Sequence, residues 1–286
     1  MKIDINTKMI TLLGKPLGQS FAARRQNAGY EAAGLNMLYF YTEVDKDHLG
    51  DVVNGLRYMN FAGFAVTKPN KVRVLRYLDE LDPLCKKMGA SNTVVKTPEG
   101  KLIGYNTDGV GFYTSLVEEG KINVEESTFF CFGAGGAGRA MCSVLAYHGA
   151  KKIYITDFYE PCAESLVMDI NENFAPVAEL VHHGDYAKIA ECNVVMNASG
   201  IGMGSTIGQT PMPVEHIQPG QFYFDACYNP DKTQFLLNAE EKGCQVLNGL
   251  GMSLYQGAAQ IELWTGEKAP VEAMRKELMD ILAESK

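Results

Sequence analysis

The 286-residue sequence has few features of proteins that are held together by disulfides or metal ions. Its seven cysteines are odd in number, are scattered along the chain and form no C-x-x-C pair, which argues against a disulfide framework and against a zinc ribbon. The five histidines show no metal-ligand spacing, so no metal site is expected. Such cysteine usage predicts a protein of the reducing cytoplasm.

The sequence also lacks an excess of positive charge and a long apolar run. Lysine and arginine total 26 against 34 aspartate and glutamate, a net charge of −8, which argues against a nucleic-acid or anionic-membrane surface. The first residues have no basic-then-apolar signal pattern, and no apolar run approaches the about 18 residues of a membrane span. We therefore expect no nucleic-acid and no membrane partner.

Short apolar runs alternate with helical periods through most of the chain, which predicts βαβ units in an α/β fold of about two domains. The predicted strands are residues 9–13, 38–44, 61–66, 128–132, 152–156, 193–197, 222–225 and 245–247, with a hairpin over 93–105. The predicted helices include residues 21–33, 46–58, 71–87, 110–118, 139–148, 253–264 and 271–284. A boundary near Gly109 separates the two alternating blocks.

Glycines cluster between the strand at 128–132 and the following helix. The loop residues are Gly133, Ala134, Gly135, Gly136, Ala137 and Gly138. This G-x-G-x-x-G pattern between a strand and a helix is typical of dinucleotide binding, because the glycines let backbone N–H groups and the helix N-terminus approach a pyrophosphate. A plain glycine-rich turn is the alternative.

Asp157 follows the next strand, 24 residues after Gly133. A carboxylate there can accept hydrogen bonds from the ribose hydroxyls and repels a 2′-phosphate, so the expected cofactor is NAD rather than NADP. A helix-capping role for Asp157 stays open. The same glycine loop with an acidic residue also serves S-adenosylmethionine-dependent methyltransferases.

Lys71 and Asp108 are the predicted proton-transfer pair. Reduction of a carbonyl by hydride leaves an alkoxide that needs a proton, and a partly desolvated lysine beside a carboxylate can supply it. Each residue has a simpler alternative: Lys71 as a solvated lysine, and Asp108 as the N-cap of a helix that begins at Gly109. Ser20 could likewise cap the helix over 21–33.

These segments together resemble the shikimate/quinate dehydrogenase family over nearly the whole chain. The matching segments, in family order, are residues 14–20, 66–71, 89–93, 106–109, 133–138, 197–203, 225–230, 249–256 and 263–266. The resemblance implies an N-terminal substrate-binding and catalytic domain, residues 1–109 completed by helices in 252–286, and a Rossmann NAD-binding domain, residues 110–251. The expected partner is a small cyclic hydroxy acid, and both a monomer and a homodimer stay open.

The resemblance also implies site roles beyond those of the catalytic pair, Lys71 and Asp108. The substrate would be contacted by Ser20, Thr67, Asn92, Tyr228 and Gln256. The cofactor would be contacted by the glycine loop and by Asp157, Asn197, Ser199 and Gly251. Many relatives carry Asn followed by Arg at the position of Asp157, which favours NADP, whereas this chain has Asp157 and Phe158.

The chain departs from the family pattern at two substrate segments. The family's loop reads Ser-x-Ser-Pro with a histidine shortly after, where this chain has Ala22, Ala23 and Gln26; Ala65 replaces the asparagine of an Asn-Val-Thr segment. Loss of a buried hydrogen bond to a charged ligand costs roughly 1.5–3 kcal/mol, so two losses would weaken shikimate binding by ~2–4 orders of magnitude. Arg24 or Arg25 could replace the lost contact, although the sequence favours exposed arginines at both positions.

The resulting prediction is an NAD(P)-dependent alcohol dehydrogenase acting on a cyclic polyhydroxy carboxylate. Shikimate or quinate is the first expectation, and a modified ring substrate stays open because of Ala22 and Ala65. The alternatives are a non-catalytic nucleotide or metabolite sensor on the same fold and a methyltransferase. Neither alternative gives a function to the Lys71–Asp108 pair.

Overall fold

The structure is a computed structural model that describes residues 3–18 and 20–284, and it has the predicted α/β architecture. Two compact units form, one from Met1–Val110 with Leu254–Lys286 and the other from Gly111–Ser253. The C-terminal helical segment, from Leu254 onward, belongs to the first unit. No helix of the described residues has the length and apolar character needed to cross a membrane.

The first unit is built around a six-stranded mixed sheet of order β2-β1-β3-β5-β6-β4. Its strands are β1 (Lys8–Gly14), β2 (Met37–Glu43), β3 (Phe61–Val66), β4 (Glu80–Leu81), β5 (Thr93–Lys96) and β6 (Leu102–Tyr105). Strands β1, β2 and β3 are parallel, whereas β5 runs antiparallel to both β3 and β6, as the predicted hairpin requires.

The helices of this unit include α1 (Ala22–Ala32), α2 (Leu49–Tyr58), α3 (Pro83–Met88), α4 (Thr107–Glu118), α8 (Leu250–Thr265) and α9 (Val271–Glu284). Helices α4 and α8 are shared with the second unit, because the division between the units falls inside each of them. The first core cluster packs Val53 and Leu56 of α2 against Phe61 and Phe64 of β3. The indole Nε1 of Trp264 in α8 donates to the carbonyl of Val94 (3.0 Å), which fixes α8 to the centre of the sheet.

The single helix predicted over residues 71–87 is wrong. The chain forms a 3₁₀ helix at Arg73–Tyr77, then strand β4, then α3. The physical reason is the Asp82-Pro83 pair, because a residue before proline is disfavoured in helical conformation. Asp82 instead caps α3, with its Oδ2 accepting from the N–H groups of Leu84 (3.0 Å) and Cys85 (3.3 Å).

The second unit has a fully parallel six-stranded sheet of order β12-β11-β10-β7-β8-β9. Its strands are β7 (Thr128–Phe132), β8 (Lys152–Thr156), β9 (Ala178–Leu180), β10 (Val194–Asn197), β11 (Phe222–Asp225) and β12 (Gln245–Asn248). Between them lie α5 (Gly136–Tyr147), α6 (Glu160–Asn173) and α7 (Gln234–Glu241). The order, reversing at β7, is the doubly wound topology of nucleotide-binding sheets, which bind ligands at the carboxyl ends of such strands.

The central strands of this sheet are mostly apolar, and almost all of their residues are buried, as is typical of parallel sheets covered on both faces. Strand β9 has no counterpart among the predicted strands, since three residues are too few to show an apolar alternation. All seven cysteines are free thiols, and no group of three or more potential metal ligands occurs among residues 3–18 and 20–284.

Candidate active site

The structure brings Lys71 and Asp108 into direct contact. Lys71 lies in the turn after β3, Asp108 lies in the first turn of α4, and Lys71 Nζ is 2.6 Å from Asp108 Oδ2. The side chains are 29% and 18% exposed, so the ion pair is partly desolvated but open to a ligand. A fully solvated lysine, the alternative from sequence, does not describe Lys71.

Asp108 is not the N-cap of its helix. The side chain of Asn106 takes that role, because its Oδ1 lies 3.2 Å and 3.4 Å from the backbone nitrogens of Asp108 and Gly109. The second carboxylate oxygen of Asp108 accepts from Asn92 Nδ2 at 2.8 Å. The carboxylate is therefore held between an ammonium and an amide.

Asn92 is the centre of a buried polar cluster. Its Oδ1 accepts from the backbone N–H of Thr107 (2.8 Å) and from the hydroxyl of Thr93 (2.9 Å). Asn92, Thr93 and Thr107 are each at most 2% exposed. Hydrogen bonds among side chains with so little freedom fix the rotamer of Asn92, and through it the orientation of Asp108.

Helix α8 supplies two glutamines to this cluster. Gln256 Nε2 lies 3.5 Å from Thr107 Oγ1, and Gln260 Nε2 donates to Thr93 Oγ1 at 2.9 Å. The two residues are four apart and therefore share one helix face. The sequence prediction included Gln256 and missed Gln260, although the four-residue spacing of the two amides is a signal that could have found it.

The other predicted substrate residues lie at different places. Thr67 is half-buried in the turn after β3, four positions before Lys71, and its N–H donates to Leu13 O. Ser20 Oγ lies 3.3 Å from the N–H of Ala22 and its carbonyl accepts from the Tyr41 hydroxyl, so Ser20 helps to begin α1. Tyr228 belongs to the second unit, in the segment after β11.

The expectation that both arginines of α1 are exposed is wrong for Arg25. Arg24 is 46% exposed and pairs with Glu277 and Glu284, whereas Arg25 is only 3% exposed and its Nη2 donates to Gln256 Oε1 at 3.2 Å. Arg25 is buried because α8 packs over α1. The sequence around Arg25 does not predict this contact.

The position where the family pattern has histidine is also buried. Gln26 is fully buried, and its Nε2 donates to Gln260 Oε1 (2.9 Å) and to the carbonyl of Gly257 (3.2 Å). Gln26 therefore extends the polar cluster from α8 to α1.

The glycine loop of the second unit has the geometry of a phosphate cradle. Gly133 has φ +98°, and a Cβ there would lie 2.6 Å from the backbone nitrogen of Ser199; a Cβ on Gly138 would lie 1.8 Å from the carbonyl oxygen of Gly133. A Cβ on Gly135 or on Gly136, at the N-terminus of α5, would meet no atom within 4 Å. Two glycines thus close the turn while two leave space above the helix N-terminus, which fits a bound dinucleotide phosphate.

Asp157 at the end of β8 borders this loop. Its Oδ2 accepts from the N–H of Ala134 (2.7 Å), and its Oδ1 accepts from the N–H of Tyr159 (2.9 Å), the residue that caps α6. The carboxylate therefore has a local structural role and also lies directly against the glycine loop. Phe158, which follows it, is 88% exposed.

Asn197 and Ser199 form a polar cluster at the carboxyl ends of β10 and β11. Asn197 is fully buried; its Oδ1 accepts from the Ser199 hydroxyl (2.6 Å), and its Nδ2 donates to Ile201 O and to Asp225. Burial raises the pKa of the Asp225 carboxyl, opposed by its bonds from Thr233, Cys227 and Asn197. These contacts make Asn197 a structural support for the loop after β10.

Gly251, the last predicted cofactor residue, lies at a close helix contact. A Cβ on Gly251 would lie 2.3 Å from Ser115 Oγ and 2.6 Å from Glu119 Oε2, so glycine is required where α8 starts against α4.

The chain is similar to curated shikimate dehydrogenases along almost its whole length. The shikimate dehydrogenase from Desulforamulus reducens, named as NADP(+)-dependent, is 39% identical over 281 residues, which cover 97% of this chain and 96% of that protein. This chain belongs to the shikimate dehydrogenase family. Within it, residues 12–94 match the family description of the shikimate dehydrogenase substrate binding domain, and residues 249–279 match the shikimate 5′-dehydrogenase C-terminal domain.

Solved structures of the shikimate dehydrogenase family have the same fold. The Listeria monocytogenes shikimate 5-dehydrogenase, in complex with shikimate and NAD, has a TM-score of 0.93 and 37% identity, covering 97% of this chain and 98% of that one. Quinate dehydrogenase from Corynebacterium glutamicum, in complex with NAD, has a TM-score of 0.90 and 28% identity, covering 96% and 99%. The resemblance inferred from the motifs is thereby confirmed.

Proposed function

We propose that this protein is an NAD(P)-dependent dehydrogenase that interconverts a ring hydroxyl and a ketone of a cyclic hydroxy acid such as shikimate or quinate. The observation that carries the proposal is the 2.6 Å contact of Lys71 Nζ with Asp108 Oδ2 in a partly desolvated position. Curated shikimate dehydrogenases and a solved quinate dehydrogenase among its relatives support the substrate class.

Lys71 is the proton-transfer residue in this proposal. A bound NAD(P) would provide the hydride chemistry, donating or accepting a hydride at its nicotinamide. Lys71 Nζ gives a proton to the carbonyl oxygen as it becomes a hydroxyl, and takes the proton from the hydroxyl in the reverse direction. Asp108 stabilises the protonated amine and fixes its position, and Asn92 fixes Asp108 through the 2.8 Å bond to Oδ1.

We assign substrate binding and catalysis to the first unit and cofactor binding to the second. The proposed substrate contacts in the first unit are Ser20, Thr67, Asn92 and Gln256. Tyr228, which belongs to the second unit, stays a prediction from the resemblance. The proposed cofactor contacts are the loop from Gly133 to Gly138, Asp157, Asn197, Ser199 and Gly251. The space above Gly135 and Gly136 at the start of α5 supports this assignment.

Among the two nicotinamide cofactors we propose that NAD is preferred. The carboxylate of Asp157 lies against the glycine loop and accepts a hydrogen bond from the N–H of Ala134. At this position it can also accept a hydrogen bond from a ribose hydroxyl, and its charge repels a 2′-phosphate. No arginine occurs in residues 157–161, and Arg139 of α5 pairs with Asp169. The curated relatives are named as NADP(+)-dependent, so this chain would differ from them in cofactor choice.

One assay tests reaction, substrate class and cofactor together. Formation of the reduced nicotinamide is followed by absorbance with shikimate and with quinate, each with NAD⁺ and with NADP⁺, while cofactor binding is measured separately by calorimetry. We expect turnover with at least one acid and a higher kcat/KM with NAD⁺. Cofactor binding without turnover of either acid would favour a sensor or a modified ring substrate, and a clear preference for NADP⁺ would contradict the role of Asp157.

A further inference from the structure

Arg25 carries a buried positive charge next to the polar cluster of the first unit. It lies in the first turn of α1, is 3% exposed, and reaches toward α8, since a Cβ on Gly257 would lie 2.4 Å from the Arg25 Cζ atom. Glycine at 257 therefore provides the space that the guanidinium occupies. An arginine is protonated at any physiological pH, so this charge is permanent.

A chain of side-chain contacts links Arg25 to the catalytic pair. Arg25 Nη2 donates to Gln256 Oε1 (3.2 Å), and Gln256 Nε2 lies 3.5 Å from Thr107 Oγ1. Thr107 in turn contacts Asn92, which donates to Asp108. The guanidinium is therefore one amide side chain away from the residues that hold the carboxylate partner of Lys71.

Two small residues border the same region at positions where the family pattern provides hydrogen-bond donors. Ala22 lies three residues before Arg25 and so shares its face of α1. Ala65 of β3 pairs with Thr93 of β5 across the sheet, which places its methyl group on the same sheet face as the Thr93 side chain. Both substitutions remove a polar group and leave a smaller side chain.

A buried acceptor lies beside them. Gln26 follows Arg25 in α1, is fully buried, and its Oε1 has no hydrogen-bond partner within the described part of the chain. A buried carbonyl oxygen without a partner is costly, and a ligand hydroxyl could satisfy it. The region thus offers a permanent cation and an acceptor.

We propose that Arg25, supported by Gln256, recognises the carboxylate of the substrate and replaces the donors missing at Ala22 and Ala65. The inference rests on the proposed function, because it assumes a cyclic hydroxy acid at Lys71 and Asp108. A guanidinium matches a carboxylate with two parallel hydrogen bonds, and such bonds are strongest in a desolvated site. Arg25 is then a specificity-determining residue of this chain.

The test compares Arg25→Met with Arg24→Met on charged and uncharged substrates. Arg24 is the adjacent, exposed arginine paired with Glu277 and Glu284, so it is a matched control. The probes are shikimate, quinate and the methyl ester of each. We expect Arg25→Met to lower kcat/KM and affinity for the acids roughly 10- to 100-fold, to change the values for the esters little, and to leave NAD affinity unchanged. Arg24→Met should behave as the wild type.

Arg25→Lys is the second variant, in case the methionine variant does not fold. It keeps the charge and loses the planar fork, so a smaller loss confined to the acids is expected. The role of Arg25 would be overturned if the folded variant kept the wild-type ratio of kcat/KM for the acids to kcat/KM for the esters.

Calorimetric binding of the acids separates this inference from the proposed function. If the wild type binds an acid through Arg25 but forms no reduced nicotinamide, the proposed reaction fails and the recognition role stands. If the wild type turns an acid over and the Arg25 variants discriminate acid from ester as before, the recognition role fails alone. Failure of both acids to bind the wild type would overturn both.

Discussion

At the scale of single residues, the candidate site depends on a carboxylate that is held from two sides. Asp108 contacts Lys71 at 2.6 Å and Asn92 at 2.8 Å. Asn92 is itself bonded to Thr93 and to the backbone of Thr107, so its amide cannot turn away without losing buried hydrogen bonds. The position of the ammonium group is therefore determined by neutral, buried side chains as well as by its own charge.

Replacement of Lys71 tests the proton-transfer role. Lys71→Ala should lower kcat by ~10²–10⁴, the usual contribution of a positioned acid–base group, and should leave NAD affinity unchanged. Turnover and calorimetric NAD binding measure the two quantities. Lys68→Ala, in the same turn but with an exposed side chain, is the control and should retain wild-type turnover. Wild-type turnover in Lys71→Ala would remove Lys71 from the mechanism.

Residue-level prediction from sequence was right about the contact of Lys71 with Asp108 and wrong about the exposure of Arg25. The contact of Lys71 with Asp108 joins positions 37 residues apart and was expected from the chemistry that both would perform. Arg25 was expected on the surface because a charged residue in a helix is usually solvated. Its burial results from Gln256 and Gly257, more than 230 positions later in the chain.

At the scale of secondary-structure elements, the strand–loop–helix from β7 to α5 shows why the glycine pattern is needed. A Cβ on Gly138 would lie only 1.8 Å from the carbonyl oxygen of Gly133. The backbone would have to move to accommodate it. Such a contact explains why a glycine ends the motif, since any side chain would push α5 away from the end of β7.

Gly138→Ala should therefore destabilise the protein and weaken NAD binding together. Overpacking of a close contact costs about 1–3 kcal/mol, measured as the free energy of unfolding in urea. Gly136→Ala is the control for stability, because its Cβ would meet no atom within 4 Å, and its free energy of unfolding should be unchanged or slightly higher. Equal stability of the Gly138→Ala variant and the wild type would contradict the close-packing explanation.

The two elements that the sequence did not predict correctly have different causes. The helix expected over residues 71–87 was interrupted by Asp82-Pro83 and by pairing of β4 with β6. Strand β9 was not expected because it is three residues long and is defined only by its pairing with β8. The Asp82-Pro83 pair is a local signal that the single-helix prediction overlooked, whereas β9 is defined by its pairing with β8, which a local apolar period cannot express.

At the scale of the whole molecule, protonation of partly buried groups links stability to pH. His148 at the end of α5 stacks on Tyr113, with ring centroids 3.7 Å apart. Burial lowers the pKa of His148 below its ordinary value of 6.5, and Glu125 opposes this shift. The unfolded chain therefore binds this proton at a higher pH than the folded chain does.

This difference predicts a loss of stability on acidification. Above pH 6.5, neutral His148 makes its full contribution to the free energy of unfolding. This contribution is lost as the pH falls from there through the lowered pKa of His148 in the folded state. In His148→Gln, the free energy of unfolding should fall less steeply with pH between about 7.5 and 5.5 than in the wild type. An unchanged slope in His148→Gln would exclude His148 as a source of the pH dependence.

The sequence alone determined the architecture of the two α/β blocks and the chemistry to expect of them. Strands at residues 61–66, 128–132, 152–156 and 222–225 were predicted with the bounds observed, because runs of apolar residues are local signals. Only the tertiary structure decided which polar side chains share a buried cluster. Packing of α8 against β5 and α1 joined Thr93, Gln26 and Gln260 and buried Arg25, since contacts across so many residues are set by the folded chain and not by any local period.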